Sequence, residues 1–125
     1  MIVFFDGACG LCDRAVRWLW DCTDVDVRFA PLQGITARKY VPEQFRTPPL
    51  NTLVVWEEGV VCFESDGLAS VARRMPGLRG RMARALTLLL FRPLLNVGYR
   101  VIARNRHRWF GTTCRLVPDS ARLLP

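Results

Sequence analysis

Two thiols three positions apart, Cys9-Gly10-Leu11-Cys12, follow directly on the apolar run Ile2-Val3-Phe4-Phe5 and the turn pair Asp6-Gly7. That order calls for a strand, a tight turn and a helix start in immediate succession. It leaves the first cysteine at a helix N-terminus, where unpaired backbone N–H groups and the positive end of the helix dipole favour a thiolate over a thiol. The second cysteine falls inside the first turn. From there it can attack a mixed disulfide on the first and release the partner.

The residues after the pair support a helix. Cys12, Val16, Leu19 and Trp20 recur at i, i+4, i+7 and i+8, and Leu11, Ala15, Trp18 and Cys22 widen the stripe, while Asp13, Arg14, Arg17 and Asp21 take the other side. Asp13 in the first turn complements the dipole. The pattern predicts Cys12 pointing inward and Cys9 outward, an asymmetry that suits a resolving and a nucleophilic thiol. A CxxC pair is also half of a zinc site, and two packing cysteines are the plainest alternative. Asp6, three residues before Cys9, has two readings. One is a base that takes the proton of Cys12 as that thiol becomes a thiolate; the other is an Asx-turn holding the backbone N–H groups near Gly7 and Ala8.

With 125 residues the chain is long enough for one domain with its own core, 1–125. Its five cysteines are an odd number, unevenly spread, unlike a secreted disulfide framework. The N-terminal apolar run lacks a basic leader and meets Asp6 early, so it reads as a buried strand rather than a signal peptide, and the cytoplasm is the expected compartment. Later the apolar stretch Ala85–Phe91 is bracketed by Arg84 and Arg92. It is far shorter than the roughly 20 residues that span a bilayer.

Charge divides the chain. Residues 1–72 carry six basic and ten acidic side chains, whereas residues 73–125 carry twelve arginines against Asp119 alone. A basic partner surface would therefore be C-terminal. No nucleic-acid motif and no basic-aromatic strand platform accompanies it, so nucleic acid is not expected as a partner.

Further elements follow in order. Val25-Asp26-Val27-Arg28-Phe29 alternates as a half-buried strand, and Ala30 to Pro49 is mostly loop with a short helix near Ile35 to Tyr40. Thr52-Leu53-Val54-Val55-Trp56 and Val60-Val61-Cys62-Phe63 form a hairpin about Glu57-Glu58-Gly59. Ser65 or Asp66 caps a helix from about Gly67 to Arg74, ended by Met75-Pro76-Gly77. A second helical stripe, Met82 to Leu90, breaks at Arg92-Pro93, and the pattern resumes from Leu94 to Ala103. Arg104 to Gly111 then reads as an exposed basic and aromatic exit, and 112–125 as a short extended tail with Cys114. The order β-α-β, crossover, β-β-α predicts a thioredoxin-like α/β sheet sandwich over 1–77, with a C-terminal helical extension and tail over 78–125.

The stretch Phe5-Asp6-Gly7-Ala8-Cys9-Gly10-Leu11-Cys12, with Val16 and Trp18-Leu19, resembles the DCC family of thiol-disulfide oxidoreductases, named for its aspartate and two cysteines. Ser65-Asp66 before a helix, and Tyr99 with Ala103-Arg104-Asn105-Arg106, extend the likeness over nearly the whole chain. The resemblance implies a thioredoxin-like fold and dithiol-disulfide exchange. Thioredoxins place a proline immediately before the strand facing their cysteines; here Asn51 stands there, with Pro48 and Pro49 too early. Gly10-Leu11 adds no positive charge to the pair, which points to a moderately reducing couple.

The remaining residues carry weaker signals. Cys114 is a possible third thiol, and His107 or Cys114 would be needed to complete a metal site on Cys9 and Cys12. Cys22 and Cys62 fall on core faces. Trp18, Trp20 and Trp56 suit core packing, whereas Trp109-Phe110 among arginines suits contact with a partner or an anionic membrane surface. Tyr99, Asn105 and Arg106 match the family pattern and read as a clamp of the extension onto the sheet. The expected activity is exchange on protein or low-molecular-weight thiols and disulfides, with Cys9, Cys12 and Asp6 at the site, no organic cofactor, and electrons from a partner dithiol. The alternative is a zinc-binding or redox-sensing interaction module without turnover.

Overall fold

The structure, a computed structural model, describes residues 1–47, 53–89, 92–111 and 121–125, with the backbone alone at 92, 106, 107 and 110. Its centre is β1 (Ile2–Phe5), all four residues buried. Ile2 and Phe4 point to one face and Val3 and Phe5 to the other, so a continuous apolar run is what a strand covered on both sides requires. β2 (Arg28–Pro31) pairs parallel to β1, β3 (Val54–Glu57) antiparallel to its other side, and β4 (Val60–Phe63) antiparallel to β3. The strand order is β2-β1-β3-β4.

Helices cover both faces. α1 (Gly10–Cys22) and α3 (Glu64–Arg73) lie on the side of Val3, Phe5, Phe29 and Val55, while α2 (Ile35–Tyr40) covers Ile2, Phe4, Ala30 and Val54. This is the thioredoxin-like arrangement the element order predicts. Two further helices follow, α4 (Gly77–Leu89) and α5 (Arg92–Phe110). α4 starts close against α3: a Cβ added at Gly80 would overlap the Met75 carbonyl, so only glycine lets the chain pass. Arg79 Nη1 also donates to Cys22 Sγ at 3.5 Å, tying α4 to the end of α1.

Four local expectations change. The second strand begins at Arg28 rather than Val25, because Val27 N–H closes a turn onto the Asp24 carbonyl at 3.1 Å and leaves Val25 in solvent. Neither Ser65 nor Asp66 caps α3; Phe63 stands at its N-cap, and Glu64 N–H is satisfied by the Leu53 carbonyl at 3.1 Å, which starts the helix earlier. Asp66 sits in the first turn instead, where its charge suits the dipole. The basic stretch after Ala103, expected as an exposed basic and aromatic exit beyond the helical pattern, forms the last turns of α5.

The fourth change is at the C-terminus. Residues 121–125 do not trail away: Phe29 N–H donates to the Arg122 carbonyl and Leu124 N–H to the Phe29 carbonyl, both at 2.8 Å. The segment lies alongside β2 as a parallel bridge, Phe29 opposite Leu123. It covers an edge strand whose N–H and C=O groups would otherwise face solvent. The Arg122 side chain donates to the carbonyls of Val27 and Trp20 at 2.8 and 2.9 Å and to Thr23 Oγ1 at 2.7 Å, and lies over the stacked rings of Trp20 and Phe29. Burial lowers the pKa of this guanidinium, opposed by Asp24 and Asp21.

Candidate active site

Asp6 ends β1 and builds the turn that presents the cysteines. Its Oδ1 accepts the Ala8 N–H at 3.0 Å and Gln33 Nε2 at 2.9 Å, and Gln33 Oε1 in turn accepts the Gly7 N–H at 3.1 Å. The carboxylate is buried. The Asx-turn reading of Asp6 is therefore realised, and Gln33 braces it from the loop after β2. Cys9 N–H closes the turn on the Asp6 carbonyl at 3.2 Å.

Cys9 is the N-cap residue of α1 in an extended conformation, and its carbonyl accepts the Asp13 N–H at 3.0 Å. Cys12 lies one turn on, packed against the core face of Val3, Phe5 and Val16. No disulfide joins the two in this structure. Asp13, buried in the first turn, pairs with Arg17 Nε at 3.2 Å, placing a negative charge where the dipole favours one.

The expected exposure of the two cysteines is reversed. Cys9 is 0 % exposed, whereas Cys12 is half-buried. Next to it Gly111, with φ +72°, turns the chain at the far end of α5 so that its carbonyl accepts the Gly10 N–H at 3.2 Å. One of the orphan donors of α1 is thus taken by the end of another helix, and α5 packs along α1. A glycine just past a helix end is a readable stop signal. Nothing in the sequence signals where its carbonyl lands.

Cys12 instead lines a cavity of about 250 Å³ between α1, α3, α5 and the sheet. Its walls include Phe5, Leu11, Leu53, Leu68 and Ile102, with Tyr99 and Asp6 as the polar contributors among mostly apolar groups. Tyr99, without an assigned chemistry in the sequence, thus belongs to the same space as Cys12. Trp18 also lines this cavity and is 55 % exposed, so it is not the core residue its helical position suggests. Trp20 and Trp56 do pack, against Phe29 and Tyr40.

Of the other candidates, Cys22 is buried and Cys62 half-buried on the core side of β4, as packing requires. Asn105 Nδ2 donates to the Val101 carbonyl within α5 at 2.9 Å. Asn51, Pro48, Pro49 and Cys114 lie outside the described residues, as do the side chains of Arg106 and His107. Among the described residues no three His, Cys, Asp or Glu side chains gather as a metal site would require.

A strand, an Asx-turn and a CxxC helix start on a thioredoxin-like sheet agree with a family profile that matches residues 3–112, that of the DCC1-like thiol-disulfide oxidoreductases. The chain belongs to that family. This DCC1-like chain is also 32 % identical over 134 aligned positions to the uncharacterized protein YuxK of Bacillus subtilis (strain 168), covering 99 % of this chain and 93 % of YuxK. No solved structure matches it. The family name supports a thiol-disulfide oxidoreductase type of function and, in general terms, thiol or protein substrates.

Proposed function

We propose that Cys9 and Cys12 are one redox couple, cycling between a dithiol and an intramolecular disulfide to exchange electrons with thiol or disulfide substrates. The observation that carries this is their placement: one at the N-cap of α1 and one a turn later, above the central strand and beside a cavity. A helix N-terminus stabilises thiolate, and the two positions are spaced for resolution of a mixed disulfide. Asp6 positions the turn and, as a wall of the Cys12 cavity, is proposed to accept a thiol proton during exchange. Electrons would come from a partner dithiol, and a chain with five cysteines suits the reducing cytoplasm.

A titration of purified protein in dithiothreitol redox buffers, with thiol trapping, tests this. A reversible two-electron transition lost in both Cys9→Ser and Cys12→Ser supports it. Failure to form the disulfide in any buffer, with stoichiometric zinc in the untreated protein, would favour the zinc-binding module instead. Asp6→Asn should slow turnover and shift its pH profile. If only stability changes, Asp6 is a turn residue alone.

For partners, we propose that α4 and α5 rest on an anionic membrane surface. Residues 77–111 hold eight arginines and no acidic side chain, while Met82, Leu86, Leu89, Leu94, Val97 and Trp109 are all exposed. Apolar side chains beside arginines suit an interfacial helix, and the shared positive charge disfavours a second copy on the same face. No single described helix is long and apolar enough to cross a membrane. Co-sedimentation with anionic vesicles, weakened by salt and by Arg81→Glu with Arg84→Glu, is the expected result. Equal binding to neutral vesicles, or none to anionic ones at low salt, contradicts it.

A further inference from the structure

We infer that the cleft between α3, α4 and α5 binds the phosphate headgroup of an anionic lipid, with Arg73 and Arg84 as its guanidinium ligands. This rests on the membrane reading of α4 and α5 above and gives that surface a specific site. Three observations carry it, of which the first is convergence. Ser65, Ala69 and Arg73 follow one another at four-residue spacing along one face of α3, and Arg84 and Leu88 do the same on α4. With Leu95 of α5 they line one cavity of about 240 Å³. Sites for drug-sized ligands begin at roughly 300 Å³, so this cavity suits a headgroup better than a larger ligand.

The second observation is charge. Arg73 and Arg84 reach the same small cavity from different helices, where two like charges repel and an anion between them is favoured. Arg73 Nη2 donates to Ser70 Oγ at 2.8 Å, which ties the guanidinium to its own helix. Glu57 holds it only loosely: Arg73 Nη2 stands 4.0 Å from Glu57 Oε2, whereas Arg74 donates to Glu57 Oε1 at 2.6 and 3.1 Å. Glu64, in the first turn of α3, is paired with Arg100 Nε at 3.5 Å. A guanidinium carries five N–H donors in a planar fork that matches two phosphate oxygens at once, so Arg73 keeps donors for a ligand beyond its bond to Ser70. The Ser65 hydroxyl adds a further donor to the wall.

The third observation is the apolar side of the same cavity. Ala69, Leu88 and Leu95 complete its lining. Leu88 is itself exposed, next in the chain to the exposed Leu89, and Leu94 beside Leu95 is exposed as well. A free phosphate ion gains nothing from such a border. A lipid sets its headgroup against the arginines and lays an acyl chain along the leucines, which is how an interfacial helix divides its polar and apolar contacts.

The test titrates the full chain with monomeric dihexanoyl phosphatidic acid, glycerophosphate and inorganic phosphate, followed by amide NMR, so that no vesicle surface charge takes part. The lipid should bind about tenfold or more tightly than glycerophosphate, because burying a few methylenes is enough for that factor, and should shift the amides of Ser65, Ala69 and Leu88. Arg73→Gln and Arg84→Gln should each weaken the lipid about tenfold. Arg108→Gln, which removes the same charge from outside the cavity, should change it less than about twofold. Equal losses in Arg84→Gln and Arg108→Gln would overturn the site, and salt-sensitive binding to anionic vesicles would then leave the membrane reading standing. Equal affinity for the lipid and glycerophosphate would assign the cavity to a soluble phosphate ester and overturn the lipid. Binding of none of the three probes, together with no binding to anionic vesicles, would overturn both readings.

Discussion

The sheet with α1 to α3 and the helical pair α4–α5 are both rich in apolar residues, but they use them in opposite ways. In the first region the apolar positions close on one another: Phe4, Phe29, Val54 and Val55 have no accessible surface. In the second, Leu88 is 85 % exposed and Leu89 78 %, and the buried positions are few, Gly80 and Ala103 among them. Amphipathic periodicity therefore says that a helix has an apolar face. It does not say whether this chain covers that face. The helical pair still touches the core where it matters for the site, along α1 and through the Gly111 carbonyl on Gly10 N–H.

The sharpest way to break the contrast is to truncate one side chain in each region. Phe29→Ala should cost about 3–5 kcal/mol in chemical denaturation, since it empties a ring stacked on Trp20 inside the core. Leu88→Ala should stay within about 0.5 kcal/mol. Comparable losses for the two would mean that α4 is buried in solution.

A smaller effect tests whether the C-terminal segment belongs with the core region. Arg122→Met removes three hydrogen bonds to groups around Trp20 and Thr23 and should cost about 1.5–3 kcal/mol. A neutral result would show that residues 121–125 do not hold the edge of β2. The smallest effect is at the hairpin. Glu58 and Gly59 have φ of +49° and +89°, a two-residue turn that places a non-glycine residue in the left-handed region. Glu58→Asn should gain roughly 0.5 kcal/mol without altering thiol reactivity, because asparagine tolerates that conformation better.

These residues also mark how far the sequence could be read. The Ile2–Phe5 strand, the α1 stripe, the Val54–Phe63 hairpin and the opening of a helix at Pro93 were legible because each rests on local periodicity or a turn residue. The Asx-turn of Asp6 was legible as one of two readings, since its Oδ1 bonds a backbone N–H only two residues on. The interactions that decide accessibility at the site were not. Gln33 to Asp6 spans 27 positions, Arg122 to Trp20 spans 102, and Gly111 reaches back to Gly10. No local pattern encodes such partners. The exposure of the two thiols is the reverse of what the α1 pattern alone predicts, because burial at a helix start depends on what other parts of the chain bring to it.

Residue-resolved alkylation of the reduced native protein by a small neutral reagent, followed by peptide mass spectrometry, tests this most directly. The arrangement predicts that Cys12, half-buried, is modified before Cys9, which has no accessible surface. Faster labelling of Cys9 than of Cys12 in the intact chain would contradict the burial of Cys9 at the helix start.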